Sequence, residues 1–432
     1  MTGRPWSGRR LHIVGVGGAG MSAYARAAHA LGARVSGSDQ ADSPFARALA
    51  ADGVLVAAIG HAPENLPAGR VEVVHSTAIG PENPELRAAL DRGLRVRSRA
   101  DLLGELTRLR RTIAVAGAHG KTTTASMIAT ALRGCGLDPG YLIGGTLRET
   151  GRNGEWGTGE WLVVEADESD RSMLALDTEI AVLTSVELDH HAAFGSRLEL
   201  EGVYREFLAG APEAVIWDRP ELLALRRGPV APYDVAAPDL AGGRARFSYL
   251  NVDVSLRVPG AHNALNAAAA LAVCRLVGAD LDRAAAALAD FTGVARRFEP
   301  LGRTPTGAAV YDDYAHHPTE IAATLAAART LGPSRVIAVF QPHLYSRTRE
   351  LAREFGAALA AADVVVVLDV YPARERAEDF PGVSGRMVAE ASADAADGRP
   401  VYWLPRSEDA ARVLTRLLGP GDVCLVLGAG DV

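Results

Sequence analysis

Residues 112–131, TIAVAGAHGKTTTASMIATA, constrain this chain more than any other stretch. Residues 112–116 are a short apolar, β-branched run, residues 117–120 a tight glycine loop, and Lys121 opens a segment of helical composition. A strand that hands over to a helix through glycines predicts an α/β sheet, and it aims backbone N–H groups and a helix N-terminus at an anion. The pattern is G-x-x-G-K-T rather than the longer G-x-x-x-x-G-K-[ST], because Val115 stands where the first glycine would be. Of the 45 lysine and arginine residues, only Lys121 is lysine. A compact ammonium fits between phosphate oxygens where a planar guanidinium does not, so a chain that otherwise uses arginine keeps lysine at this loop. An ordinary strand-to-helix turn is the plain alternative.

Upstream, residues 11–14 read as a strand, Gly15, Gly17 and Gly20 satisfy G-x-G-x-x-G with Gly18 between them, and residues 21–31 read as a helix. A second strand at 34–37 leads to Asp39, about twenty positions beyond the loop, which completes a dinucleotide-binding fingerprint. The fingerprint reports only a diphosphate at a helix N-terminus and a ribose hydroxyl beside a carboxylate. NAD and a UDP-sugar both satisfy it. Further strands at 54–59, 71–75 and 94–97 predict a doubly wound α/β domain, with His61 following one strand end as either a ligand or an exposed loop residue.

In the middle of the chain, the apolar strand from Trp161 runs into Glu165, Asp167, Glu168 and Asp170. Carboxylates at a strand end beside a phosphate loop suit the magnesium of a nucleoside triphosphate. Glu165, directly after Leu162-Val-Val164, is the first choice; a solvated acidic turn is the plain alternative, adequate for some of Asp167, Glu168 and Asp170. A third strand at 180–185 leads to Asp189 and His190, with His190 a second metal ligand that Asp189 would orient. His262, Asn263 and Asn266 open a long alanine-rich helix, where amides could read an adenine edge or cap the helix.

The last segment begins at the basic pair Arg296-Arg297, placed to bring charge onto phosphates, and then alternates strand and helix. Its uniformly apolar strands, 336–340 and 364–368, predict a second doubly wound sheet. Polar clusters at 312–318, 341–348 and 369–371 follow successive strands, which marks one binding crevice.

Composition removes other classes. A length of 432 residues suggests about three domains. A net charge of −7 argues against nucleic acid as a partner, and no apolar run is long enough for a membrane span. Three cysteines, Cys135, Cys274 and Cys424, lie in apolar patterns and predict free thiols, as expected of a cytoplasmic protein.

Taken in order, VGVGGAGMS, HSTAIGPENPE, GAHGKTTTASM, EADESD, ELDH, GAHNALNA, RRFE, DDYAHHPTE, FQPHLYSRT, DVY and GAGDV resemble the Mur ligase family along nearly the whole chain. The resemblance implies three α/β domains: a Rossmann-like UDP-sugar domain at 1–108, a P-loop ATPase-type domain at 109–295 and a Rossmann-like amino-acid domain at 296–432. It implies ATP-dependent amide formation in peptidoglycan precursor synthesis, with UDP-N-acetylmuramate and L-alanine as substrates and magnesium or manganese as cofactor. By matching motif, Gly117, Gly120, Lys121, Thr122 and Thr123 would hold ATP phosphates, Thr122, Glu165 and His190 metal, and His262, Asn263 and Asn266 adenosine. Arg296 and Arg297 would reach the phosphates. Gly15, Gly17, Gly18, Gly20, Asp39, His61, Ser76 and His119 would serve the UDP-sugar, and His316, His343, Tyr345 and Arg347 the amino acid. Ala118, Ser185 and Leu344 depart from the usual pattern; without an arginine at 344, Arg347 becomes the carboxylate anchor. A related ligase that adds another amino acid or a peptide, an NAD-dependent oxidoreductase and a non-catalytic nucleotide-binding regulator are the rival readings.

Overall fold

A computed structural model describes residues 4–188, 194–430 and 432. Three main sheets follow one another along the chain. The first has the order β3-β2-β1-β4-β5, with β1 Arg10–Val14, β2 Arg34–Asp39, β3 Ala58–Ile59, β4 Glu72–His75 and β5 Val96–Ser98, all parallel. Its helices are α1 Ala19–Ala30, α2 Pro44–Ala51, α3 Pro84–Asp91 and α4 Arg99–Thr107. Strand order reverses at β1 and β4, so their carboxyl ends open the crevice where ligands settle in such sheets.

The second sheet has the order β12-β11-β10-β6-β9-β7-β8: β6 Arg111–Ala116, β7 Gly140–Leu147, β8 Arg152–Glu155, β9 Trp161–Glu165, β10 Ile180–Leu183, β11 Glu213–Trp217 and β12 Ala231–Tyr233. Only β8 runs antiparallel, paired with β7 across an irregular register between Leu142 and Leu147. Helix α5 Lys121–Gly134 follows β6, with α6 Arg197–Ala209 and the short α7 Pro220–Leu223 further on. The central strand β6 lies between β9 and β10, which brings three strand ends to the glycine loop.

A hairpin, β13 Ala245–Tyr249 with β14 Val252–Leu256, precedes α8 Ala261–Leu276 and α9 Leu281–Ala289. The third sheet has the order β15-β16-β20-β17-β18-β19: β15 Glu299–Arg303, β16 Ala309–Asp313, β17 Val336–Phe340, β18 Val364–Val367, β19 Val401–Trp403 and β20 Val423–Leu427. Helices α10 Pro318–Arg329, α11 Tyr345–Leu359, α12 Gly385–Ala395 and α13 Ser407–Leu417 complete it. Only β15 is antiparallel. Val365 and Val367 pack on one face of this sheet and Val364 and Val366 on the other, which is why β18 is apolar at every position. Each such side chain contributes roughly 1.5–3 kcal/mol by leaving water.

The chain divides into two compact units, Met1–Asp234 with Asn266–Leu288, and Val235–Leu265 with Ala289–Val432. The expected strand at 54–59 is reduced to Ala58–Ile59, because residues 54–57 find no ladder partner. The hairpin of β7 and β8, whose glycines hide any alternation of side chains, is a strand pair that sequence periodicity does not announce. Among the described residues, no helix is long and apolar enough to cross a membrane.

Candidate active site

The glycine loop after β6 is shaped by its neighbours. Gly117 has φ 133° and a Cβ there would lie 2.1 Å from Thr184 Oγ1; Gly120 has φ 81° and a Cβ would lie 2.8 Å from Asn266 Oδ1. Both the backbone sign and the space therefore demand glycine. The strand end of β10 holds the loop from beneath: Ala118 donates its N–H to Ser185 O at 3.1 Å, His119 donates its N–H to Ser185 Oγ at 3.0 Å, and Thr184 Oγ1 donates to Ala116 O at 3.2 Å. Gly120 is the N-cap of helix α5 and gives no side-chain cap, so the first-turn N–H groups are presented for an anion.

Lys121 opens α5 directly after this loop. Its Nζ donates to Gly117 O at 2.6 Å and lies 3.1 Å from both oxygens of Glu168. Burial opposes its charge, but Glu168, Asp167 and Glu165 outweigh burial and raise the ammonium above its ordinary pKa. Glu168 is only 2% exposed, so it is a buried counter-ion rather than part of a solvated turn. The solvated-turn alternative therefore does not extend to Glu168, and alternation could not have revealed this because the segment after β9 is loop. Asp167 and Asp170 are likewise committed: Arg99 at the start of α4 pairs with them at 2.9 and 2.7 Å. Burial would raise Asp167, yet Lys121 and Arg99 hold it down at about 2.

Glu165 ends β9, where its Oε1 accepts the N–H of Gly144 from β7. Thr122, in the first turn of α5, is largely buried. A carboxylate and a hydroxyl at the mouth of a phosphate loop are the oxygen donors a hard divalent ion takes, so these two residues fit magnesium. Asp189 and His190, expected as orienter and second ligand, lie outside the described residues. Asn266, expected at an adenine, accepts a hydrogen bond from Thr124 Oγ1 at 3.1 Å and packs against Gly120, so it buttresses the phosphate loop. Asn263 Nδ2 donates to Pro259 O at 2.7 Å and fixes the entry to α8. Burial pulls His262 down to about 4, so its imidazole is neutral at physiological pH.

At the first sheet, Gly15 has φ 82° and a Cβ would meet Ser76 Cβ at 3.1 Å, which sets the two expected ligand positions side by side at the point where strand order reverses. Asp39 Oδ2 accepts the Gly17 N–H at 2.7 Å, so this carboxylate shapes the loop it was expected to assist. His61 Nδ1 contacts Ser38 Oγ at 3.1 Å and Glu85 Oε1 at 3.2 Å. Glu85 is fully buried; its burial cost is overcome by hydrogen bonds from His12, Asn65 and Ser38, which hold its pKa at about 2. That network had no signature in the sequence, because its members lie on five separate elements or loops. His119, matched to the UDP-sugar by motif, has its Nε2 3.1 Å from Glu187.

The strand ends of the third sheet also converge. His316 and His343 stand edge to face with ring centres 6.0 Å apart, and His343 stacks on Tyr371. Arg347, 5% exposed, donates from Nη1 to His343 Nδ1 at 3.2 Å; an arginine only donates, so His343 carries its proton on Nε2. His316 has the opposite arrangement: Nδ1 donates to Tyr314 O at 2.9 Å, which leaves Nε2 with the lone pair when the ring is neutral. Tyr345 stacks on Phe380, and Leu344 occupies φ 70°, a conformation that costs a non-glycine residue on the order of 1–3 kcal/mol. Arg296 is held by Asp312 at 3.1 Å and Gly428 O at 2.7 Å, so it braces the sheet, while Arg297 lies over the Tyr314 ring. Beside it, burial pushes Asp313 up to about 6 against the pull of Arg297.

Comparison with known proteins gives these clusters a common frame. Models of the Mur ligase family match in chain order: the Mur ligase family catalytic domain at residues 10–111, the Mur ligase middle domain at 115–274 and the Mur ligase glutamate ligase domain at 296–430. The UDP-N-acetylmuramate–L-alanine ligase of Rubrobacter xylanophilus is 44% identical over 442 residues, covering 98% of this chain and 97% of the relative. The Nocardia farcinica protein of the same name is 44% identical over 473 residues, covering 98% and 93%. The crystal structure of UDP-N-acetylmuramate-alanine ligase from Thermotoga maritima superposes with a TM-score of 0.84 at 28% identity, covering 98% of this chain and 96% of that one. With three family domains in order and identity of this level over its full length, the chain belongs to the Mur ligase family.

Proposed function

We propose that the chain joins L-alanine to the lactyl carboxylate of UDP-N-acetylmuramate in an ATP-dependent reaction of peptidoglycan precursor synthesis in the cytoplasm. The observation that carries this reading is full-length identity of 44% to ligases of that name, on a chain whose phosphate loop keeps its only lysine. Residues 1–108 would take the UDP-sugar at Gly15, Gly17, Gly18 and Gly20, residues 109–295 the ATP, and residues 296–432 the amino acid.

A carboxylate does not condense with an amine in water, because hydroxide is a poor leaving group. In the proposed reaction a carboxylate oxygen attacks the γ-phosphorus, the bond to the β,γ-bridging oxygen breaks, and ADP leaves an acyl phosphate. The alanine amine then attacks the acyl carbon, and phosphate departs with the former carboxylate oxygen. Lys121 and the first-turn amides of α5 neutralise charge on the transferring group, with Arg297 as a second cation. Magnesium or manganese, fitted by Thr122 and Glu165, would supply further charge neutralisation on the phosphates. Arg347 is the anchor for the alanine carboxylate. Of the two histidines, His316 supplies the lone pair that takes a proton from the amine, whereas His343 Nε2 is a donor.

The test is isotopic. With UDP-N-acetylmuramate labelled with ¹⁸O in its lactyl carboxylate, released phosphate should carry the label and the product should be the alanyl amide. Unlabelled phosphate would rule out the acyl phosphate, and label transfer with glycine, serine or a tripeptide but not alanine would favour a ligase of different selectivity.

A further inference from the structure

The hairpin of β7 and β8 touches two loops that the proposed reaction uses. From β7, the Gly144 N–H reaches the Glu165 carboxylate. From β8, Asn153 reaches the glycine loop of the first sheet. Its side chain is buried at 1% exposure, and Nδ2 donates to Ala19 O at 2.5 Å and to Ser22 Oγ at 2.8 Å. Ser22 Oγ donates to the same Ala19 oxygen at 2.9 Å, so one carbonyl receives two side-chain donors. The approach is close because residue 154 is glycine; a Cβ there would lie 2.9 Å from the Cα of Ala23.

The Ala19 carbonyl and the Gly20 N–H are two edges of one planar trans peptide unit. Fixing the oxygen therefore fixes the direction of the N–H, and donors on the oxygen polarise that N–H further. Gly18 precedes helix α1 as its N-cap and gives no side-chain cap, and Gly20 lies in the first turn, where N–H groups lack intrahelical partners. A buried side chain from the β7–β8 hairpin thus braces the first peptide unit of α1, where the glycine loop passes into the helix.

We propose that Asn153 is a positioning residue for the diphosphate of the sugar nucleotide, acting through the Ala19–Gly20 peptide. This rests on the reading that the first sheet binds UDP-N-acetylmuramate. It assigns to the second segment of the chain a part in sugar-nucleotide affinity.

The full chain and its Asn153→Ala, Asn153→Asp, Asn153→Ser and Ser22→Ala variants would be compared by phosphate release, with each substrate varied in turn, and by calorimetric titration with UDP. Asn153→Ala should raise KM for the sugar nucleotide and Kd for UDP about tenfold, with kcat at saturation and KM for ATP within about twofold of wild type. Asn153→Asp, equal in shape but without a donor, should be at least as impaired; Asn153→Ser, which keeps one donor, should lie between. The Ser22→Ala, Asn153→Ala double variant should depart from additivity, because both donors act on one oxygen. A folded Asn153→Ala or Asn153→Asp protein with a lowered Tm and an unchanged KM for the sugar nucleotide would show a purely structural asparagine and overturn the proposal. An equal rise in KM for ATP would also overturn it. If wild-type phosphate release ignores UDP-N-acetylmuramate, the functional reading falls and takes this inference with it.

Discussion

Lys121 and Glu168 form a pair whose two halves have different duties. Glu168 is buried with Nζ 3.1 Å from both oxygens, so removing the lysine takes the neighbouring cation from a buried carboxylate. Lys121→Met should therefore destabilise the protein by about 3 kcal/mol in urea unfolding and abolish phosphate release. Adding Glu168→Gln should restore most of the stability and none of the activity, because the ammonium serves phosphate and the carboxylate serves the ammonium. Equal recovery of both would contradict that division. At the third sheet the tautomers make a second prediction: His316→Gln should lower kcat by roughly 10²–10⁴-fold in initial-rate measurements. His343→Gln, which keeps a donor near Nε2, should cost less.

The elements around the glycine loops act as moulds. Gly117→Ala places a methyl 2.1 Å from Thr184 Oγ1 at a φ of 133°, so the strand end of β10 or the loop must move. A loss of at least about 2 kcal/mol and a large rise in KM for ATP are expected, measured by thermal unfolding and initial rates. At the first sheet, Glu85 is ionised in the fold down to about pH 2, whereas unfolded it titrates near 4.5. Its contribution, on the order of 3 kcal/mol, is complete above pH 4.5 and disappears as pH falls toward 2. Urea midpoints between pH 5.5 and 3 should fall more steeply for wild type than for Glu85→Gln; parallel slopes would show that Glu85 is not the group responsible. Most strands and helices were legible because apolar runs alternate with glycine punctuation, as at β6 and α5. The β7–β8 hairpin was not, since Gly140, Gly144, Gly145 and Gly154 erase the side-chain rhythm that marks a strand.

At the scale of the whole chain, the motifs were legible as positions but not as partnerships. Glu165, Thr122 and Lys121 could be grouped from sequence because strand ends in a doubly wound sheet share a crevice. Glu168 as counter-ion, Asn266 as buttress of Gly120 and Asn153 as anchor of Ala19 depend on which loops meet, and residues 47, 146 and 134 positions apart carry no local pattern. Arg296 and Arg297 show the same limit, since adjacency in sequence concealed that both lie over the Tyr314 ring and that Arg296 is also bonded to Asp312 and Gly428. The proposed ligation needs all three segments together, which no single cluster can test. The most direct measurement is phosphate release from ATP with UDP-N-acetylmuramate and L-alanine added singly and together, for wild type and Lys121→Ala. Release should require both substrates and be lost in the variant; release that proceeds without the sugar nucleotide, or survives in Lys121→Ala, would rule out the proposed ligation.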